Sequence, residues 1–159
     1  MQAEGDMKTV FEVGKPLPAW NLTSIDGKAV PQKEDFLGAP LLILFINLGC
    51  PGCKGRALPY ANRIVYENKR VQVLGIHSNF EGRSFSDLEL NAAVKDFYVR
   101  FPMFQDAGEA ETFHSYEALG TPHWILVDAQ GNVAKAMFGS DPNNALLRLD
   151  LQIQEMLEV

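Results

Sequence analysis

The polar and apolar positions along this chain alternate between two periods. Residues 41–47, "LLILFIN", form a continuous apolar run, as expected of a central strand covered on both faces. From Pro51 to about Asn68 the period becomes helical, with Leu58, Ala61, Ile64 and Val65 on one face. Pro59 lies inside that stretch, where its missing N–H predicts a kink. A second buried strand follows at 71–78, "VQVLGIHS", then a helix in "DLELNAAVKDFYVRF" beginning near Asp87. "GEAETFHSYEALG" predicts a shorter helix that stops at Gly120. "HWILVD", the turn "DAQG" and "NVAKAMF" read as strand, tight turn and strand. The chain closes on an amphipathic helix near 142–158, carrying Leu146, Leu149, Ile153 and Leu157.

Ahead of the first long strand the pattern loosens. Residues 1–10 read as a loose tail and 11–159 as one domain. The stretch from Phe11 to Pro40 is rich in Pro, Gly and turn dipeptides, which predicts an extended segment with a short hairpin around Asp26-Gly27. Strand, helix, strand calls for a parallel crossover, and the late hairpin adds antiparallel strands to the same sheet. The expected architecture is therefore α/β, a mixed central sheet with helices on both faces.

Composition narrows the function classes. The 159 residues carry 14 basic and 20 acidic side chains, a net charge of −6, with no basic block, so nucleic acid is a poor candidate partner. The longest apolar run is shorter than the roughly 20 residues a membrane helix needs. The first residues, "MQAEGDMKTVFEVGK", lack the apolar stretch of a signal peptide, which leans toward a cytoplasmic protein, with the periplasm or secretion as the alternative if a leader was removed. A monomer is the expected state.

The chemistry concentrates in "INLGCPGCKG", which holds both cysteines, Cys50 and Cys53. A staple across so few residues would remove little entropy from the unfolded chain. A closed zinc site needs four ligands, or three with water, and His77, His114 and His123 have no paired spacing to supply them. Two buried structural thiols are the plainest alternative. Yet the pair falls where a strand passes into a helix. With Cys50 as N-cap, Pro51 takes the first helical position, where a missing N–H costs nothing, and Cys53 the third. The amides of Gly52 and Cys53 and the helix dipole then favour a thiolate at Cys50, and Lys54 and Arg56 push the same way. Residues three apart share a helix face, so Cys53 stands within reach as a resolving thiol.

These features resemble the thioredoxin superfamily, in its redoxin or TlpA-like branch of thiol–disulfide oxidoreductases. The resemblance covers nearly the whole chain from Phe11. "GKPLPAWNLTSIDGK" is similar to the redoxin lead-in, "FINLGCPGC" to the strand and CPxC motif, and "GTPHWILVDAQGNV" to the family's cis-proline strand and hairpin. It implies a thioredoxin-like fold, catalytic Cys50 and Cys53, and a cis bond at Pro122 opposite them. It also implies backbone pairing of Thr121 with an extended substrate. The implied partners are protein disulfides or dithiols and an unidentified redox partner, with no cofactor and no metal.

The sequence departs from the family pattern at three places. Leu44 stands where thioredoxins bury an acid, Gly49 where many relatives have tryptophan, and Pro59 one position late. The missing acid leaves the deprotonation of Cys53 to be explained, and His77, at the active edge of a parallel strand, is the candidate. His123 follows the expected cis-proline; Trp20 and Trp124 are expected to serve packing. A thiol peroxidase would need the pattern PxxxTxxC, but Ile43 and Asn47 occupy its Pro and Thr positions. A non-catalytic interaction module is the third class the fold allows.

Overall fold

The structure, a computed structural model, describes residues 10–158; the tail expected at 1–10 lies outside these except for Val10, which is exposed. Its centre is strand β2, Leu41–Ile46, in which every residue is buried. Leu42, Leu44 and Ile46 face one core and Leu41, Ile43 and Phe45 the other. Two-sided burial is why this run is apolar throughout rather than at alternate positions.

Around β2 the sheet adds β1 (Leu22–Thr23), β3 (Gln72–His77), β4 (Met103–Asp106), β5 (His123–Val127) and β6 (Val133–Phe138), in the order β1-β4-β3-β2-β5-β6. Strand β2 runs parallel to β3 and antiparallel to β5, so the sheet is mixed. On one face pack α1 (Leu58–Glu67), α2 (Asp87–Asp96) through Leu90, and α4 (Ala145–Leu157) through Leu146, Leu149 and Ile153. The other face is covered by α3 (Glu111–Ser115) through Phe113, and by Phe11, Leu17 and Trp20 of the N-terminal segment. No helix among the described residues is long and apolar enough to cross a membrane.

Five local expectations change. The hairpin at Asp26-Gly27 is absent: the turn forms, with Gly27 at φ 85° and the Asp26 carboxylate accepting from Lys28 N, but β1 pairs with the distant β4. Asn21 N donates to Thr112 Oγ1 and Thr23 Oγ1 to Gln105 O, which ties β1 to that edge.

The helix that begins at Pro51 widens to a π-helical turn over Cys53–Ala57, in which Leu58 N donates to Cys53 O, before α1 proper. Proline at 59 cannot donate to the carbonyl four residues back, and the wider turn lies directly before it.

The helix at Asp87 starts as expected, with Ser86 and Glu89 forming a capping box, but stops at Asp96 rather than reaching Phe101. Tyr98 adopts φ 52°, and the Asn62 side chain receives the Arg100 N–H while donating to the carbonyls of Phe97 and Tyr98. Strand β4, which the apolar pattern does not announce, follows; two of its four residues are the buried polar Gln105 and Asp106.

The helix expected over 108–120 shrinks to Glu111–Ser115, bracketed by left-handed Ala110 and Glu117. The Asp106 carboxylate takes the Thr112 and Phe113 amides at its start, and Glu117 ends it before Gly120. The final helix begins at Ala145 because Asp141 turns the preceding residues, its carbonyl accepting from Asn144 and Leu146.

Candidate active site

Strand β2 ends in a turn whose amides are each held. Gly49 N donates to Asn47 Oδ1 at 2.8 Å, Cys50 N to Asn47 O at 3.0 Å, and Leu48 N to His77 Nε2 at 3.1 Å. Asn47 is itself fixed by donating from Nδ2 to Ser78 O at 2.8 Å. Cys50 caps the following helix: its carbonyl accepts from Cys53 N and Lys54 N, and its Sγ accepts from Cys53 N at 3.2 Å. Of the two amides expected to reach that sulfur, only the one at Cys53 does. The Cys50 thiol in turn donates to Thr121 O at 3.3 Å.

Both cysteines are free thiols, and they differ in surroundings. Cys50 is half-buried at the surface, whereas Cys53 has no exposed area and belongs to the apolar cluster that also holds Leu44, Ile46, Ala57 and Trp124. Burial pushes the Cys53 thiol far above the usual range, and its contact with Cys50 adds to that. Leu44 therefore makes hydrocarbon of the place where thioredoxins keep an acid.

The chain returns to the cysteines 71 residues later. The Thr121–Pro122 bond is cis, and Pro122 is buried against the cysteine turn. A Cβ at Gly52 would stand 2.6 Å from Ser140 Oγ and 3.8 Å from Pro122 Cδ, so the glycine of CPGC lets these segments close on each other. A Cβ at Gly49 would lie 3.7 Å from the Phe85 ring, which fills the space beside the turn. An open groove of about 580 Å³ runs past Cys50, with Thr121, Phe80, Phe85, Leu119 and Phe138 among its walls.

A sequence profile described as the AhpC/TSA family matches residues 13–136. The chain belongs to the AhpC/TSA family. No curated protein matches it in sequence. Among solved structures it is similar to a thiol-disulfide isomerase from Corynebacterium glutamicum, at 25% identity and TM-score 0.75, covering 97% of this chain and 99% of the other. A thioredoxin-like superfamily protein matches at TM-score 0.79 and 24% identity, over 91% of this chain and 97% of its own. A thiol:disulfide interchange protein of the thioredoxin family from Chlorobium tepidum matches at TM-score 0.71 and 18% identity, over 94% and 99%. The fold is thus thioredoxin-like, and this AhpC/TSA member is a redoxin of the thioredoxin superfamily with a CXXC spacing at Cys50 and Cys53.

Within this AhpC/TSA member the histidines divide. His77 is wholly buried, but both its ring nitrogens are engaged: Nε2 accepts from Leu48 N, and Nδ1 lies 2.6 Å from Gln105 Oε1. Burial lowers its pKa, so it stays neutral, and with no nitrogen free it is not the base for Cys53 that its position invites. His123 is buried directly after Pro122, with neither ring nitrogen hydrogen-bonded; burial lowers its pKa to about 4. It lies opposite Phe45, on the face of the sheet away from Cys53. His114 is exposed on α3. Among the described residues no three His, Cys, Asp or Glu side chains gather as metal ligands. Trp124 packs edge-on against Tyr60 and donates to Gly139 O, and Trp20 donates to Pro31 O beside Phe36. Lys54 is half-buried and Arg56 exposed.

Asn47, Gln105, Phe85 and Ser140 shape the site without having been singled out as part of it from the sequence. Asn47 carried a signal, a polar residue ending an apolar run just before the cysteines. Gln105 carried none, because its role depends on β4 lying beside β3.

Proposed function

We propose that this protein is a thiol–disulfide oxidoreductase acting on protein substrates through Cys50 and Cys53. One observation carries the reading: a half-exposed Cys50 sulfur held by the Cys53 amide and facing Thr121 O, with Cys53 buried behind it. Cys50, as thiolate, attacks a substrate disulfide, forming a mixed disulfide and freeing one substrate thiolate. Cys53 then attacks the Cys50 sulfur. A Cys50–Cys53 disulfide forms, the second substrate sulfur leaves, and the Cys53 proton passes to the thiolate freed first. Two electrons move to the substrate, and a dithiol partner returns them.

Thr121 and Pro122 are the proposed substrate platform, Thr121 pairing its backbone with an extended client segment along the groove. Similarity to the Corynebacterium glutamicum isomerase supports this class of reaction. The Asn47 side chain, spent on Gly49 and Ser78, offers no hydroxyl to orient a peroxide, which argues against a peroxidase. The proposed working unit is a monomer in the cytoplasm.

A redox titration of the Cys50–Cys53 couple tests the proposal. A two-electron couple between about −270 and −120 mV is expected, alongside reduction of insulin disulfides by the dithiol form. A value near the upper end would favour an oxidising, exported role. The absence of any two-electron couple, or rapid peroxide consumption that survives Cys53→Ser, overturns it.

A further inference from the structure

His77 is the buried titratable group at the site for which disulfide exchange has no chemical use. Its hydrogen bonds form one connected line. The Leu48 amide donates to Nε2, so Nε2 carries no proton, and Nδ1–H donates to Gln105 Oε1. Gln105 is oriented in turn, because its amide nitrogen donates to Phe85 O and to Asp87 Oδ1, both at 3.2 Å. The line therefore runs from the first residue of α2 through β4 and β3 to the peptide two residues before Cys50. Phe85 closes the space around it, edge-on to the His77 ring with centroids 5.7 Å apart.

We infer that His77 is a positioning residue: its unprotonated Nε2 latches the Leu48 amide and so holds the turn that aims Cys50 Sγ at the Cys53 amide. This rests on the role proposed for Cys50. Without the latch, Leu48 N–H loses its partner in a half-buried place, and the Asn47–Cys50 turn is released to pair that amide elsewhere. The latch is also sensitive to acid, since a protonated Nε2 cannot accept. Asp106 and Glu89 favour the charged ring, Asp87 reaches it only through Gln105, and Arg83 lies over Phe85 paired with Glu89; burial outweighs the two carboxylates and keeps the ring neutral.

Alkylation of Cys50 by iodoacetamide in the reduced full-length chain reads the turn directly, because Cys53 is buried. At pH 7, His77→Leu is expected to slow alkylation about tenfold, whereas His77→Gln, which keeps an acceptor, stays within about twofold of the wild type. Across falling pH the wild-type rate should drop more steeply than the His77→Gln rate, which has no imidazole to protonate. Should His77→Leu fail to fold, Gln105→Met frees Nδ1 from its fixed tautomer and is expected to slow alkylation about threefold. Equal slowing by His77→Leu and His77→Gln, a wild-type rate in His77→Leu or Gln105→Met, or superimposable pH profiles would each overturn the latch. Alkylation needs no client, so a protein that behaves as expected here and reduces no disulfide would refute the oxidoreductase reading alone.

Discussion

The two sulfurs lie in contrasting regions only three residues apart. Cys50 lies partly open, its sulfur between the Cys53 amide and the Thr121 carbonyl on a groove walled in part by aromatic side chains. Cys53 is out of contact with solvent, within the apolar cluster that also holds Leu44, Ile46, Ala57 and Trp124. The contrast teaches that a helix start can assign different duties to two identical side chains. In the proposed reaction the first is presented to a partner, and the second is kept protonated until the first has reacted.

Erasing the open side of this contrast has the largest expected effect. Cys50→Ser should reduce insulin-disulfide turnover to background while leaving the fold intact, since a hydroxyl can still cap at that position. Next comes the dry side. Leu44→Asp places a carboxylate in the cluster that holds Cys53, and urea denaturation is expected to show a loss of about 3 kcal/mol or more. The same variant is expected to speed release of client from the mixed disulfide, because Cys53 gains a neighbouring base. A variant as stable as the wild type would show that this region is wetter than the packing implies.

The opposite face of the sheet sharpens the comparison through pH. His123 is buried without a partner, and its folded pKa, about 4, lies below the ordinary 6.5. The unfolded chain therefore binds a proton first. Stability is full above pH 6.5 and falls as pH drops toward 4, by about 3 kcal/mol in all from this residue. His77, also lowered, adds to the loss in the same direction. Urea midpoints measured from pH 7.5 to 4.5 should fall less in His123→Phe than in the wild type; identical slopes would contradict the burial assigned to this ring.

The smallest effect is expected at the contact between CPGC and Ser140, just after β6. Gly52→Ala sets a methyl 2.6 Å from Ser140 Oγ, which should cost about 1 kcal/mol in thermal or urea unfolding. Ser140→Gly should restore most of it in the double variant.

Much of this was legible in the chain. Two-sided burial of β2, the helix start at Pro51 and the CXXC pair all follow from apolar runs and turn chemistry that neighbouring residues set among themselves. The family resemblance supplied Thr121 and Pro122, whose approach to Cys50 no local rule fixes. What stayed hidden depends on distant partners. Strand β4 carries the polar Gln105 and Asp106 inward because His77, Ser78 and the start of α3 take up their hydrogen bonds. The helix over 108–120 is short because Asp106 and two left-handed residues bound it, and neither constraint appears in a helical period. His77 looked like a base from its place on the strand, and its two hydrogen bonds, which no sequence pattern announces, point instead to a positioning role.

The central claim, that Cys50 attacks and Cys53 resolves, is tested most directly by trapping. Reduced Cys53→Ser protein is mixed with a disulfide-containing client, quenched with acid and analysed by mass spectrometry. A stable mixed disulfide through Cys50 is expected, absent from the wild type and released by added dithiol. No adduct, or an adduct that forms equally in Cys50→Ser through Cys53, would contradict the account.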